Sequence, residues 1–188
     1  FQTRLAKCRE AFQDVPALKK AMESVAGHPM TLVAGGSPTY LIHARQGDRE
    51  CSPGTFIFWD KGYAEQLPEQ PFEYAALLLC RVISIPASDT VCVDLGYKSV
   101  AAEQPQPRVL FLNAPDAIPA AHSEEHLTVS VADASAYEIG QILYAVPSHI
   151  CPSVALYDKA LVIENNQVID EWKVIARQRK ISIYREVF

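Results

Sequence analysis

The sequence predicts a mostly β protein with a small α/β piece at its N-terminal end. Up to about residue 45, two helical patterns are followed by a short apolar run and a glycine-containing loop, an order typical of α/β units. From about residue 46 onward, short β-rich runs alternate with turns that contain proline or glycine. We therefore expect two domains, residues 1–45 and residues 46–188, the second of them a β-barrel or sandwich.

The N-terminal piece begins with the spacing of a helix. Leu5, Cys8 and Phe12 recur three and four residues apart, which places them on one helical face. Asp14 is a candidate N-cap for a second helix, and Gly27 is placed where that helix should end. The sequence therefore predicts two consecutive helices before residue 30.

A short apolar run at residues 30–34 leads directly into a glycine-containing loop. The run does not alternate with polar residues, which is typical of a strand buried on both faces in a parallel sheet. In the loop, Gly35 and Gly36 would let backbone N–H groups approach a phosphate closely, and Ser37 and Thr39 add hydroxyl donors. A plain turn is the alternative interpretation, because glycine, serine and proline are common turn residues.

The rest of the chain has the pattern of an all-β region. β-rich runs are expected at residues 55–59, 75–85, 90–93, 109–112, 127–131, 141–146, 160–162 and 174–183. Prolines and glycines separate most of them. Many strands with few helices indicate a barrel or a sandwich.

Composition and charge exclude several classes of function. The formal net charge is −5, so we expect no general attraction to nucleic acid or to an anionic membrane. No apolar run approaches the roughly 20 residues of a membrane span. The five cysteines are irregularly spaced, which argues against a disulfide framework and indicates a reducing, cytoplasmic location. The chain begins without methionine or a secretory signal, so we expect it to be part of a longer protein.

His149 and Cys151 are candidate metal ligands. In an extended chain, residues two positions apart point to the same side. An imidazole and a thiolate placed in this way could share a borderline cation such as Zn²⁺. The alternative is a buried cysteine beside a histidine in a turn, because no second pair at a recognised spacing completes a site.

Two further clusters contain chemically active side chains. Residues 123–126 place acidic and imidazole groups next to one another, which could transfer protons, and His126 is the candidate catalytic residue. Residues 94–98 offer a carboxylate, a glycine and an amine directly after a predicted strand. A solvated loop and a tight turn at a strand end are the respective alternatives.

Taken in chain order, these segments resemble the D-threonine aldolase/D-serine dehydratase-like family. These are alanine-racemase-like, fold-type III enzymes that use pyridoxal 5′-phosphate (PLP). The resemblance extends from about Pro29 to Ile183. The matching segments are VAGGSPTY at 33–40, PGTFIFWD at 53–60, DLGYK at 94–98, SEEH at 123–126 and PSHICP at 147–152.

The resemblance implies an architecture and two cofactors. Residues 1–45 would be the last unit of a PLP-binding (β/α)₈ barrel, in which the loop residues Gly35, Gly36, Ser37 and Thr39 hold the cofactor phosphate. Residues 46–188 would be the C-terminal β domain. That domain would bind a divalent metal, zinc or manganese, at the His149/Cys151 motif.

The implied activity is that of a PLP- and metal-dependent lyase, a homodimer that acts on D-3-hydroxy amino acids. Cys151 resembles the dehydratases of the group, since the aldolases often carry an acidic residue there. Gln141 departs from the family pattern, which often has aspartate after the glycine. The motifs do not choose between aldolase and dehydratase.

No lysine of the chain matches the Schiff-base lysine of the family, which lies near the N-terminus of such proteins. Lys98 belongs to a β-domain motif and is not assigned that role. We therefore expect this chain alone to be inactive. The alternative function is a non-catalytic β-domain module that binds metal or mediates dimerisation.

Overall fold

The computed structural model describes residues 1–178, and the chain divides into two compact units, Phe1–Ala76 and the residues from Leu77 onward. This division lies C-terminal to the domain boundary expected near residue 45, so residues 46–76 belong to the first unit. The assignment of residues 1–45 to a barrel and of residues 46–188 to a metal-binding domain remains a prediction.

The first unit begins with the two predicted helices, α1 (Gln2–Phe12) and α2 (Val15–Ala26). α2 ends at Gly27, whose φ of 73° is left-handed, a conformation that glycine adopts without a steric penalty. Asp14 occupies the N-cap of α2, but its side chain makes no capping hydrogen bond. The apolar spacing and the glycine therefore predicted the helices correctly, although the cap bond is not formed.

Strand β1 (Val33–Gly35) pairs in parallel with β2 (Glu50–Ser52). Ala34 is buried, but Val33 is 53% exposed, so the expectation of a strand buried on both faces is wrong. Within residues 1–178, β1 has a single hydrogen-bonded neighbour, and these residues leave the Val33 side of the strand exposed.

Two short helices complete the regular structure of this unit, α3 (Tyr40–Ala44) and α4 (Lys61–Gln66). The strand expected at residues 55–59 is wrong, because Thr55–Ile57 form a 3₁₀ turn. Trp59 is 1% exposed and packs on the Tyr63 and Phe72 rings at centroid distances of 5.5 and 5.1 Å. Burial of this aromatic cluster therefore favours a turn over the extended chain that the residue types predicted.

The second unit is built on a six-stranded antiparallel sheet with strand order β5-β8-β3-β4-β7-β6. Its strands are β3 (Leu78–Ala87), β4 (Thr90–Val93), β5 (Val109–Phe111), β6 (Ile118–His122), β7 (Leu127–Ser130) and β8 (Ile142–Pro147). β3 pairs with β8 along its first half and with β4 along its second half, where register shifts bend it. The sheet thereby curls into a barrel-like form, which confirms the predicted mostly β fold.

The core of this unit lies on the concave side of the sheet. Alternate residues of β4 and β7 point inward, with Val91, Val93, Leu127 and Val129 at most 1% exposed. They pack with Phe111 and with residues of β8 and β3 in a single cluster. Because every second side chain of such a strand is buried, the β-branched residues at these positions predicted the strands correctly.

The chain continues through α5 (Ile150–Val154) into an antiparallel hairpin, β9 (Lys159–Glu164) and β10 (Gln167–Lys173). The run predicted at residues 160–162 lies within β9. The strand predicted at residues 174–183 is wrong where it can be compared, because Ile175–Arg177 form a 3₁₀ turn, and residues 179–183 lie outside the described part. Among the helices of residues 1–178, none combines the length and apolar character needed to cross a membrane.

Candidate metal centre and phosphate loop

The His149/Cys151 motif lies at the turn between β8 and α5. His149 is the N-cap of α5 with an extended backbone, φ −141° and ψ 106°, whereas Cys151 already lies in the first helical turn. The extended geometry expected for both residues is therefore wrong. The Ser153 hydroxyl donates a 2.7 Å hydrogen bond to the carbonyl oxygen of His149. Joint binding of one ion by the two side chains stays a prediction.

The imidazole of His149 has a carboxylate partner that the sequence did not reveal. Its Nδ1 lies 2.5 Å from Oε1 of Glu103, a residue 46 positions away in the loop between β4 and β5. Burial alone would raise the pKa of Glu103, but hydrogen bonds from its own backbone and from the His149 ring outweigh this effect and lower that pKa overall. A histidine that binds a metal in a protein usually gives its other ring N–H to such an acceptor.

Ser153 and Ser148 attach both ends of the Glu103 loop to the β8–α5 turn. The hydroxyl of Ser153, which is fully buried, accepts a hydrogen bond from the backbone N–H of Ala101 at 3.1 Å. Ser148 donates from its backbone N–H to the Arg108 carbonyl at 2.7 Å and from its hydroxyl to the Pro107 carbonyl at 2.8 Å. The loop is therefore fixed to the metal motif on either side of Glu103.

His122, which the sequence analysis did not single out, is half-buried behind this loop. Its Nε2 lies 2.6 Å from the carbonyl oxygen of Leu95, and its Nδ1 lies 3.0 Å from a guanidinium nitrogen of Arg108. Because arginine can only donate, Nδ1 accepts and Nε2 carries the proton. Burial, together with the Arg108 charge, lowers the pKa of His122 despite its bond to Leu95. As a neutral imidazole, His122 therefore links the start of the β4–β5 loop, at Leu95, to its end, at Arg108.

The structure brings the 94–98 and 123–126 segments together. The backbone N–H groups of Tyr97 and Lys98 donate to the carbonyls of Ser123 and Glu124 at 2.9 and 3.1 Å. The Lys98 ammonium lies 2.9 Å from Glu124 and 2.8 Å from Glu125, and these carboxylates raise the pKa of Lys98. Two segments that the sequence offered as separate candidates are therefore one docked pair of turns.

The candidate catalytic residue His126 lies at the end of this pair, just before β7. It is exposed, and its carbonyl oxygen accepts hydrogen bonds from the backbone N–H and the hydroxyl of Ser123 at 2.9 and 3.3 Å. These contacts use the backbone of His126 to shape the turn. A role for its imidazole in proton transfer stays a prediction.

The candidate phosphate loop lies in the first unit, where β1 runs into a 3₁₀ turn at Ser37–Thr39. Gly36 has a φ of 90°, which L side chains rarely adopt. The Thr39 hydroxyl donates to the carbonyls of Gly35 and Gly36 at 3.1 and 3.3 Å, so it braces the loop. Ser37 is buried, and its carbonyl accepts from the Gln70 side chain at 2.9 Å. The four predicted residues thus share one preformed loop, and phosphate binding there remains a prediction.

Comparison with known proteins places these features in a family. The family model described as a putative serine dehydratase domain matches residues 75–163. The chain is 30% identical over 180 residues to D-threonine aldolase of an Arthrobacter species. That match covers 94% of this chain and 47% of the relative, so the chain spans about half the length of that protein.

Two solved structures show the same fold. D-threonine aldolase from Filomicrobium marinum matches with a TM-score of 0.83 at 23% identity, over 94% of this chain and 48% of that one. D-threo-3-hydroxyaspartate dehydratase from Delftia sp. HT23 matches with a TM-score of 0.65 at 22% identity, over 80% and 46% of the two chains. The chain therefore belongs to the D-threonine aldolase/D-serine dehydratase-like family.

Proposed function

We propose that the chain provides the metal site and the cofactor-phosphate loop of a PLP- and divalent-metal-dependent lyase that acts on D-3-hydroxy amino acids. The observation that carries the proposal is the carboxylate-held imidazole of His149, two residues before the exposed Cys151. The relatives support it, because the names D-threonine aldolase and D-threo-3-hydroxyaspartate dehydratase describe lyases for this class of substrate.

The donor chemistry of the β8–α5 turn fits a borderline cation. His149 would bind it through Nε2 and Cys151 through Sγ, a pair that favours zinc over magnesium or calcium, with manganese as second choice. No group of three or more His, Cys, Asp or Glu side chains forms a closed site within residues 1–178. Two protein ligands leave positions open for substrate. When bound there, the metal would act as a Lewis acid toward the substrate hydroxyl.

Solved structures of a related enzyme support this assignment. One is a cysteine-to-alanine mutant of D-threo-3-hydroxyaspartate dehydratase in the metal-free form, and another is a histidine-to-alanine mutant. The mutated histidine and cysteine are two positions apart in that protein, as His149 and Cys151 are here.

The backbone around Gly35 and Gly36 would hold the PLP phosphate, with Ser37 as a further donor. Since the Thr39 hydroxyl already donates to the Gly35 and Gly36 carbonyls, Thr39 would stabilise the conformation of the loop. PLP itself supplies an electron sink for bond cleavage at the substrate Cα. Cys151 is the residue type that the dehydratases of the group carry at this position, and the same metal position would serve either the dehydratase or the aldolase reaction.

We also propose a homodimer, the commonest oligomer geometry. Apolar side chains on the β9–β10 hairpin support it, because each is more than half exposed and such patches commonly mark contact surfaces. They are Leu161, Ile163, Val168, Ile169 and Trp172.

The proposal is tested with the protein expressed from its complete reading frame. We expect turnover of D-serine, D-threonine or D-threo-3-hydroxyaspartate that requires PLP, disappears on chelation and returns with zinc or manganese. The L-enantiomers of the same substrates serve as controls. Full turnover after complete removal of metal would contradict the proposal. Metal binding without any turnover would favour the non-catalytic module.

A further inference from the structure

The contact between Glu103 and His149 determines which ring nitrogen is available to a ligand. An ionised carboxylate can only accept hydrogen bonds, so Nδ1 of His149 must be the donor across the 2.5 Å contact. A neutral imidazole carries one N–H, which leaves the lone pair on Nε2. This is the tautomer that a metal bound at Nε2 requires.

The position of Glu103 is built into the fold. Its loop is attached to the β8–α5 turn through the buried Ser153 on one side and through Ser148 on the other. Arg108, at the far end of the loop, donates from Nε to the Gln104 carbonyl at 2.7 Å and from NH1 to His122. The backbone on both sides of Glu103 is therefore held by hydrogen bonds.

We propose that Glu103 is a positioning residue for the metal site. It fixes the tautomer and the ring orientation of His149, and thereby strengthens zinc binding through Nε2. This inference rests on the proposed function, because it requires His149 to be a ligand. Carboxylates that act in this way typically contribute about 10–100-fold to metal affinity.

A plain surface ion pair is the competing explanation. The side chains of His149 and Glu103 are 37% and 43% exposed, and surface pairs of this kind contribute little to stability. A surface pair would not affect zinc affinity, whereas a positioning carboxylate would. Zinc affinity therefore separates the two explanations.

The test compares zinc dissociation constants, measured by competition with a chromophoric chelator, in the full chain. We expect Glu103→Leu to bind zinc about 10–100-fold more weakly than the wild type. Glu103→Gln should fall between them, because its amide oxygen can still accept from Nδ1 but carries no charge. Glu171→Gln is the matched control, since Glu171 is 45% exposed and pairs with Lys159 at 2.8 Å away from the metal motif. It should bind zinc as the wild type does.

A second readout is the tautomer of His149 in the metal-free protein, followed by ¹⁵N NMR. The Nδ1–H form should dominate in the wild type and lose that dominance in Glu103→Leu, which tests whether the carboxylate sets the tautomer. If His149→Ala loses zinc while both Glu103 variants bind it within about twofold of the wild type, the positioning role is wrong and the proposed metal site stands. If His149→Ala retains zinc at full affinity, both are wrong.

Discussion

In the protein expressed from its complete reading frame, replacing Cys151 with serine is expected to strip zinc and to abolish metal-dependent turnover, while PLP absorbance is retained. A hydroxyl is a much poorer zinc ligand than a thiolate, and with two protein ligands proposed, the loss of one leaves His149 alone. We expect turnover to fall by more than about 100-fold, because a direct ligand should matter more than the outer-shell partners that contribute about 10–100-fold. Metal content by mass spectrometry and turnover of D-serine and D-threonine measure the effect.

Two further variants serve as a control and as a test of metal preference. Cys92→Ser, on β4, makes the same chemical change away from the metal motif and should keep metal and activity. Cys151→Asp supplies a harder oxygen ligand and should tolerate manganese better than zinc. If Cys151→Ser kept full metal and full activity, the residue would be part of the turn and not a ligand.

Replacing Gly96 with alanine should destabilise the second unit by about 2–3 kcal/mol, the upper range for forcing extra volume into a packed site. A Cβ at Gly96 would lie 2.0 Å from the carbonyl oxygen of Glu124, which is backbone and cannot move aside like a flexible side chain. The 94–98 segment would have to separate from the 123–126 segment and lose the Tyr97 and Lys98 backbone bonds to it. Urea denaturation followed by circular dichroism measures the loss.

The matched control for this change is Gly54→Ala. Gly54 has a φ of −95°, and a Cβ there would meet nothing within 4 Å, so the free energy of unfolding should stay close to that of the wild type. If Gly96→Ala proved as stable as Gly54→Ala, the close docking of the two segments would be wrong.

The sequence predicted those parts of the fold in which local pattern and tertiary environment agree. β4 and β7 alternate buried and partly exposed residues, as strands at a barrel wall should. β6 was missed because Pro119 and its alanines do not read as a strand, and β10 was missed because it carries Asp170, Glu171 and Lys173. At residues 55–59, the aromatic residues that suggested a strand are buried in a turn instead.

Some residues of the candidate site could be predicted from the sequence, and others could not. His149 and Cys151 could be found because they lie in one short motif. Glu103 and His122 could not, since their key contacts, with His149 and Leu95, span 46 and 27 positions of sequence and depend on how the barrel loops pack. Glu103 lies in a proline-rich segment with no recognisable spacing to the metal motif.

The most direct test of the metal site is extended X-ray absorption fine structure at the zinc edge of the zinc-loaded wild-type protein. We expect one sulfur neighbour at about 2.3 Å and an imidazole nitrogen at about 2.0–2.1 Å, with the remaining neighbours light atoms from solvent. A shell made only of oxygen and nitrogen, or one with several sulfurs, would contradict it.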